Sequence, residues 1–230
     1  MTTVMKIDAV NLEYPMPRRY RKENIQPSGI RNISLEVKQG EVLGIIGRNG
    51  SGKSTLLKVM AGVFPPDNGK IATCGSVSLL AGVGVGFHKE LTGRENAYLY
   101  GALMGRTTQQ IDELIDEIQS FAELEHHFDR PIRTYSSGMK SRLGISVATA
   151  FKPDLLLIDE VLGVGDASFR KKSETRVKEM IAESGTVVLV SHSLGMIEKI
   201  CSNVAVFDSG EIKFYGDVKE GISFYTSNFN

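Results

Sequence analysis

Residues 47–55 read GRNGSGKST, and from Gly47 to Ser54 they match the spacing G-x-x-x-x-G-K-[ST]. In such a stretch Gly47, Gly50 and Gly52 let backbone N–H groups wrap a chain of phosphates. Lys53 reaches the β and γ oxygens, and the hydroxyl of Ser54 can ligate Mg²⁺. The whole loop, including Arg48, Asn49, Ser51 and Thr55, is therefore a nucleotide cradle, and the helix-forming run after it adds a positive helix end. A second run, DLLLIDE, ends in two carboxylates. Beside a phosphate loop, Asp159 is expected to hold the metal with its bound water. Glu160 is expected to act as general base, orienting or deprotonating the attacking water. His192 follows a third apolar run, VVLVS, and is expected to bond the γ-phosphate, completing a catalytic set with Lys53 and Glu160. Tyr14, in NLEYP, is a candidate to stack on adenine, although a tyrosine at a strand end is more often packing.

The stretch TYSSGMKSRLG, residues 134–144, also looks built for an anion. Between Tyr135 and Met139, Ser136, Ser137 and Gly138 form a small-residue turn before a basic helical run, with the helix end open rather than filled. Taken alone, a serine-capped helix is the default reading.

Several elements must position these groups. The runs Glu41–Ile46, Leu155–Ile158 and Thr186–Val190 are strand-sized and continuously apolar, as strands buried on both faces of a parallel sheet are. Each places its chemistry at its carboxyl end, where such sheets bind ligands. IDAVNLEY and GIRNISLEV read as an antiparallel pair with a long connection. TTQQIDELIDEIQSFAEL carries Ile111, Leu114, Ile115, Ile118, Phe121 and Ala122 on one helical face, acidic residues on the other, and a capping box from Thr107 to Gln110. The tail reads as strand, SG turn, strand, short helix. The fold class is α/β, one domain over 1–230, with its core in about 1–90 and 154–230 and a helical subdomain in about 91–153.

Bulk properties narrow the function. Lys plus Arg and Asp plus Glu both number 27, so the net charge is zero, and the basic excess of a nucleic-acid binder is lacking. No apolar run approaches the ~20 residues that span a bilayer, and MTTVMKIDAV lacks a signal-peptide pattern. Cys74 and Cys201, far apart and without metal-ligand spacing, are expected to be reduced, buried and intracellular.

In order, Tyr14, GRNGSGKS, YSSGM, LLLIDE, GVGD and SH resemble the nucleotide-binding subunit of ABC transporters along essentially the whole chain. The resemblance implies a P-loop NTPase (RecA-like) core with an antiparallel β subdomain and an inserted α-helical subdomain. It implies ATP and Mg²⁺ as ligands, and a homodimer in which YSSGM, matching the family's LSGGQ signature, caps the ATP held by the partner copy. Asp166 matches the loop that passes between subunits. It further implies integral membrane permease subunits and a peripheral place on the cytoplasmic face of the bacterial inner membrane. YSSGM, FHKELTGREN and DEVLGVGD resemble ATPases that export lipid-linked surface polysaccharide (O-antigen, capsule or teichoic acid). Another transported substrate, or a nucleotide-gated module with little hydrolysis, is the alternative. Some members of that subgroup carry a C-terminal carbohydrate-binding domain, and the expectation is that this sequence either lacks it or has had it removed. The family's glutamine between phosphate loop and signature has no counterpart; LLAGVGVGFHKELTG stands there, and is expected to approach the nucleotide by backbone. The basic cluster of Arg18, Arg19, Arg21 and Lys22 reads as a solvated loop, with lipid headgroups or a phosphate of the exported substrate as the sharper alternative.

Overall fold

A computed structural model describes residues 2–15, 28–80, 87–159 and 167–229. Strands β1 (Thr3–Glu13), β2 (Gly29–Lys38) and β3 (Val42–Gly47) lead into helix α1 (Lys53–Met60), then β4 (Asn68–Thr73) and β5 (Val77–Leu80). Three helices follow: α2 (Gly93–Leu103), α3 (Thr108–Ala122) and α4 (Ser137–Ala150). Next come β6 (Leu155–Asp159), α5 (Ala167–Ser184), β7 (Val187–Val190) and α6 (Leu194–Ile200). The last elements are β8 (Asn203–Asp208), β9 (Glu211–Asp217) and α7 (Val218–Phe229). They fall into two compact units. One gathers β1 to β4, α1, the end of β6 and everything from β7 onward; the other holds β5, α2 to α4, the start of β6 and α5.

In the first unit β1 lies between β2 and β4 in an antiparallel sheet. A register shift between Ile7 and Val10, at Ala9 with φ of 48°, lets both face the core: Ile7 pairs with Leu35 and Val10 with Ile33, and all four are buried. β4 is almost wholly exposed, NGKIAT carrying one partly covered residue, Ile71. A second sheet runs in the order β5-β6-β7-β3-β8-β9. β3 is parallel to both β7 and β8, and β9 returns antiparallel to β8 through the Ser209–Gly210 turn. Leu43, Ile45 and Ile46 of β3 and all four residues of β7 are buried, as strands covered on both faces require.

The amino end of β3 is held by a buried carboxylate. Glu41 Oε1 accepts from Asn203 Nδ2 at 2.6 Å and from the Tyr215 hydroxyl at 3.2 Å, while Oε2 accepts from the Lys38 N–H at 2.9 Å. Burial first, and the Glu41 charge second, push the Tyr215 phenol up to about 12.

The second unit packs its helices on Ile111, Ile115, Ile118, Phe128, Leu143, Val147 and Phe151, with Tyr135 among them. α3 starts with the expected capping box, Thr107 and Gln110 exchanging backbone and side-chain bonds; α2 has one too, from Thr92 and Glu95. Asp112, Glu113, Asp116 and Glu117 of α3 are exposed. At the start of β6, Asp154 accepts from the N–H and hydroxyl of Ser76, which holds its carboxyl below the usual range.

The cysteines differ from expectation. Cys74 is exposed, beyond the end of β4, and only Cys201 is largely covered; burial pushes its thiol up to about 12. Cys74 follows the solvent-facing β4, so no core is available to it.

Candidate functional site

The loop between β3 and α1 is shaped by glycine at the points where a side chain would fail. A Cβ on Gly47 would lie 2.1 Å from the Phe207 carbonyl oxygen, and Gly50 and Gly52 have φ of 77° and 106°. Gly52 is the N-cap of α1 and offers no side-chain acceptor, so the first-turn amides are capped by no side chain. Lys53 is buried, and its Nζ donates to the carbonyls of Gly47 and Arg48 at 2.8 Å each, drawing the loop around the ammonium. A lysine in the first turn opposes the helix dipole, so its placement suits an anion bound at the same end. Ser51 Oγ is buried and has no hydrogen-bond partner among the described residues, a polar atom of the loop that a phosphate oxygen would satisfy. Arg48, Asn49, Gly50 and Ser54 are exposed, and Thr55 is half-buried.

Tyr14 joins this loop through α1. Its hydroxyl lies 3.2 Å from Thr55 Oγ1, its backbone N–H donates to the Ser28 carbonyl, and its ring meets Phe64 edge-on at 6.1 Å. With 37% of its surface open, the ring remains available for stacking.

Adjacency in the sheet assembles the remaining groups of the first unit. β6, β7 and β3 are successive strands, and Asp159 ends β6, Gly47 ends β3 and His192 follows β7. Between β6 and β7 in the chain lies α5. Asp159 is half-exposed and His192 exposed. Glu160 and Asp166 lie outside the described residues, as do Arg18, Arg19, Arg21, Lys22 and most of the glycine-rich LLAGVGVG.

In the second unit the serine turn opens α4. Ser136 is its N-cap, with Oγ accepting from the Met139 N–H at 3.2 Å, and Ser137 and Gly138 begin the helix. Ser136 thus fills part of the helix end that the sequence suggested was open. Ser136 and Ser137 are exposed, Gly138 and Met139 half-buried. Tyr135 differs: its ring is 5% exposed and its hydroxyl donates to the His127 carbonyl at 2.6 Å, so it belongs to the turn through its backbone alone. Burial pushes this phenol up to about 12.

The sequence reading missed Asn96. Fully buried, it accepts from the His88 N–H at 2.7 Å and donates to the carbonyls of His88, Leu91 and Thr92. No local signal marks it, since an asparagine in the second turn of a helix reads as surface.

Residues 30–163 match the ABC transporter family. Over 193 residues the chain is 44% identical to the O-antigen export system ATP-binding protein RfbB of Myxococcus xanthus, covering 84% of this chain and 44% of that protein. Over 196 residues it is 43% identical to the teichoic acids export ATP-binding protein TagH of Bacillus anthracis, covering 85% of this chain and 36% of the relative. The chain thus spans less than half the length of these two relatives. Among solved structures, a dimeric ATP-binding cassette in a post-hydrolysis state with ADP and Pi superposes with a TM-score of 0.72, at 23% identity, over 93% of this chain and 98% of the other.

Proposed function

The chain belongs to the ABC transporter family, and from that premise we propose that it is the ATP-binding and ATP-hydrolysing subunit of an exporter of lipid-linked surface polysaccharide. The observation that carries the catalytic half is the loop from Gly47 to Thr55. Its glycine-capped helix end, the buried Lys53 and the unpartnered Ser51 hydroxyl together suit a polyphosphate. The names and identities of the O-antigen and teichoic acid export relatives support the transport half.

In this reading the loop amides and Lys53 bind the β and γ phosphates, and Tyr14 stacks on the base. Glu160 orients or deprotonates the attacking water, and His192 hydrogen-bonds the γ-phosphate. Hard oxygen ligands suit Mg²⁺, which takes few protein groups beside substrate phosphates; the exposed Ser54 hydroxyl and the half-exposed Asp159 carboxylate are such groups. Bound there, Mg²⁺ would neutralise phosphate charge. The turn from Ser136 to Met139 serves the nucleotide held by a second copy, and Asp166 lies in the segment that passes between copies. Hydrogen bonds to charged groups contribute about 1.5–3 kcal/mol each. A few at each of two sites exceed the ~5.5 kcal/mol that swings an equilibrium from 1:99 to 99:1, so ATP would close the pair and hydrolysis reopen it. Closure would drive integral permease subunits, with this chain peripheral on the cytoplasmic face of the membrane. Among the described residues no helix is long and apolar enough to cross it.

Steady-state phosphate release tests the enzymatic part, with Glu160→Gln expected to lower it by about a hundredfold or more. Deleting the chromosomal copy tests the transport part: a surface glycan disappears, and restoring the wild-type chain but not Glu160→Gln brings it back. An unchanged surface would refute export.

A further inference from the structure

The serine turn is tied to a distant stretch of its own unit. Thr92 and Pro131 form an antiparallel bridge, the Ile132 N–H donates to the Leu91 carbonyl and the Arg133 N–H to the Lys89 carbonyl, each at 2.9 Å. Arg133 Nε also meets Glu90 Oε2 at 3.1 Å. The loop from His88 to Thr92 is thereby joined by backbone to residues 131–133, only three positions before Ser136.

Two buried side chains make that joint rigid. Asn96 uses both ends of its amide to hold the loop, bonding at His88, Leu91 and Thr92. The Tyr135 hydroxyl donates to the His127 carbonyl at 2.6 Å and lies close against the backbone of Gly93 at the start of α2. Gly93 is where this closes up: a Cβ there would stand 2.5 Å from the Tyr135 oxygen and 2.9 Å from the Phe128 carbonyl. The residue after Tyr135 is Ser136, whose hydroxyl caps α4. Nothing in the chemistry of a packed core requires these polar contacts; an apolar ring at 135 would fill the same space. A hydroxyl bonded to one fixed carbonyl and walled in by the Gly93 backbone specifies one position of the backbone that follows.

We propose that Tyr135, seated against Gly93 and backed by Asn96, is a positioning residue that makes the His88–Thr92 loop and the Ser136 turn a single moving piece. A shift of the loop is then a shift of the turn that grips the partner copy's ATP. Tyr135 itself touches no nucleotide. This inference rests on the shared-site reading given above.

The test uses the full chain carrying Glu160→Gln, which retains ATP, and two readouts: ATP-driven pairing by light scattering, and ATP affinity of the single chain at concentrations too low to pair. Tyr135→Phe keeps the ring and removes the oxygen. It is expected to weaken pairing about tenfold, the scale of one lost hydrogen bond, with single-chain affinity unchanged within about twofold. Gly93→Ala pushes a methyl into the oxygen and weakens pairing further. Combined with Tyr135→Phe it recovers part of the added loss, because the oxygen it struck is gone and only the 2.9 Å approach to the Phe128 carbonyl remains, so the two losses are less than additive. A purely structural role would instead make the two losses add and would lower single-chain affinity alongside. Pairing of Tyr135→Phe equal to its parent, or additive losses, would overturn the proposal while leaving the shared site standing. Failure of the Glu160→Gln parent to pair with ATP would overturn the shared site, and this inference with it.

Discussion

Replacing Lys53 by methionine separates what the lysine does for the fold from what it does for the nucleotide. Methionine keeps much of the apolar stem and removes the ammonium, which bonds the Gly47 and Arg48 carbonyls at 2.8 Å. Losing those bonds destabilises the loop, while removing a cation from the first turn of α1 relieves about 0.3–1 kcal/mol of dipole repulsion. In the absence of nucleotide these effects oppose each other, and the melting temperature is expected to move by only a few degrees. The nucleotide response is different. Losing charge-assisted bonds to phosphate costs about 1.5–3 kcal/mol, which weakens affinity roughly 10- to 150-fold. At a nucleotide concentration of 100 times the wild-type Kd, ligand stabilisation is about 2.7 kcal/mol; with affinity a hundredfold weaker, it falls to about 0.4 kcal/mol. For a chain of this size, 1 kcal/mol corresponds to about 2–4 °C. The ATP-induced shift should therefore fall from about 5–11 °C to about 1 °C. Differential scanning fluorimetry with and without Mg-ATP measures it. A Lys53→Met protein that keeps the full shift would show that the ammonium does not face the phosphates.

Further consequences are open to direct measurement. Ser136→Ala removes the cap of α4 and should lower stability by about 1 kcal/mol, with ATP turnover dropping and single-chain ATP affinity unchanged. Asn96→Ala strands several buried backbone groups and should lower the urea midpoint by the equivalent of about 2–4 kcal/mol; a loss under 1 kcal/mol would contradict its role as a clamp. The Asp154 carboxyl is held below its ordinary value by Ser76, so its contribution is present above the unfolded carboxylate pKa of about 3.9 and lost as pH falls through the lower folded value. Asp154→Asn should therefore flatten the decline of stability between about pH 5 and 3. With its thiol pushed up to about 12, Cys201 should resist alkylation at pH 8 until the chain unfolds, whereas the exposed Cys74 should label at once.

Local patterns told most of the story where local physics decides. The loop before α1 and the helix start at Lys53 were readable because glycines, lysine and hydroxyl stand there at fixed offsets, and β3, β6 and β7 because strands buried on both faces are apolar along their length. α3 was readable from end to end, since its capping box and its Ile111–Ile115–Ile118 stripe both obey helical spacing. β4 escaped: NGKIAT has no apolar alternation, and it is a strand because β1 offers it an open edge. The interior position of Tyr135 and the role of Asn96 escaped for another reason. Both are set by partners brought near only when α2 and the stretch before α4 fold together, and no spacing rule reports such a meeting. Cys74 was misplaced by a residue-type average that cannot see its exposed strand.

The carboxylate of Glu41 gives β3 two unlike ends. At one, three donors from the end of β2, β8 and β9 hold the strand as a wall holds a beam; at the other hangs the loop from Gly47 to Gly52. A rod clamped at its root and loaded at its tip yields at the tip. Nucleotide arrival should accordingly be absorbed within a few glycine torsions, while the amides of Leu43 to Ile46 keep the slowest hydrogen exchange in the first unit whether or not ATP is bound.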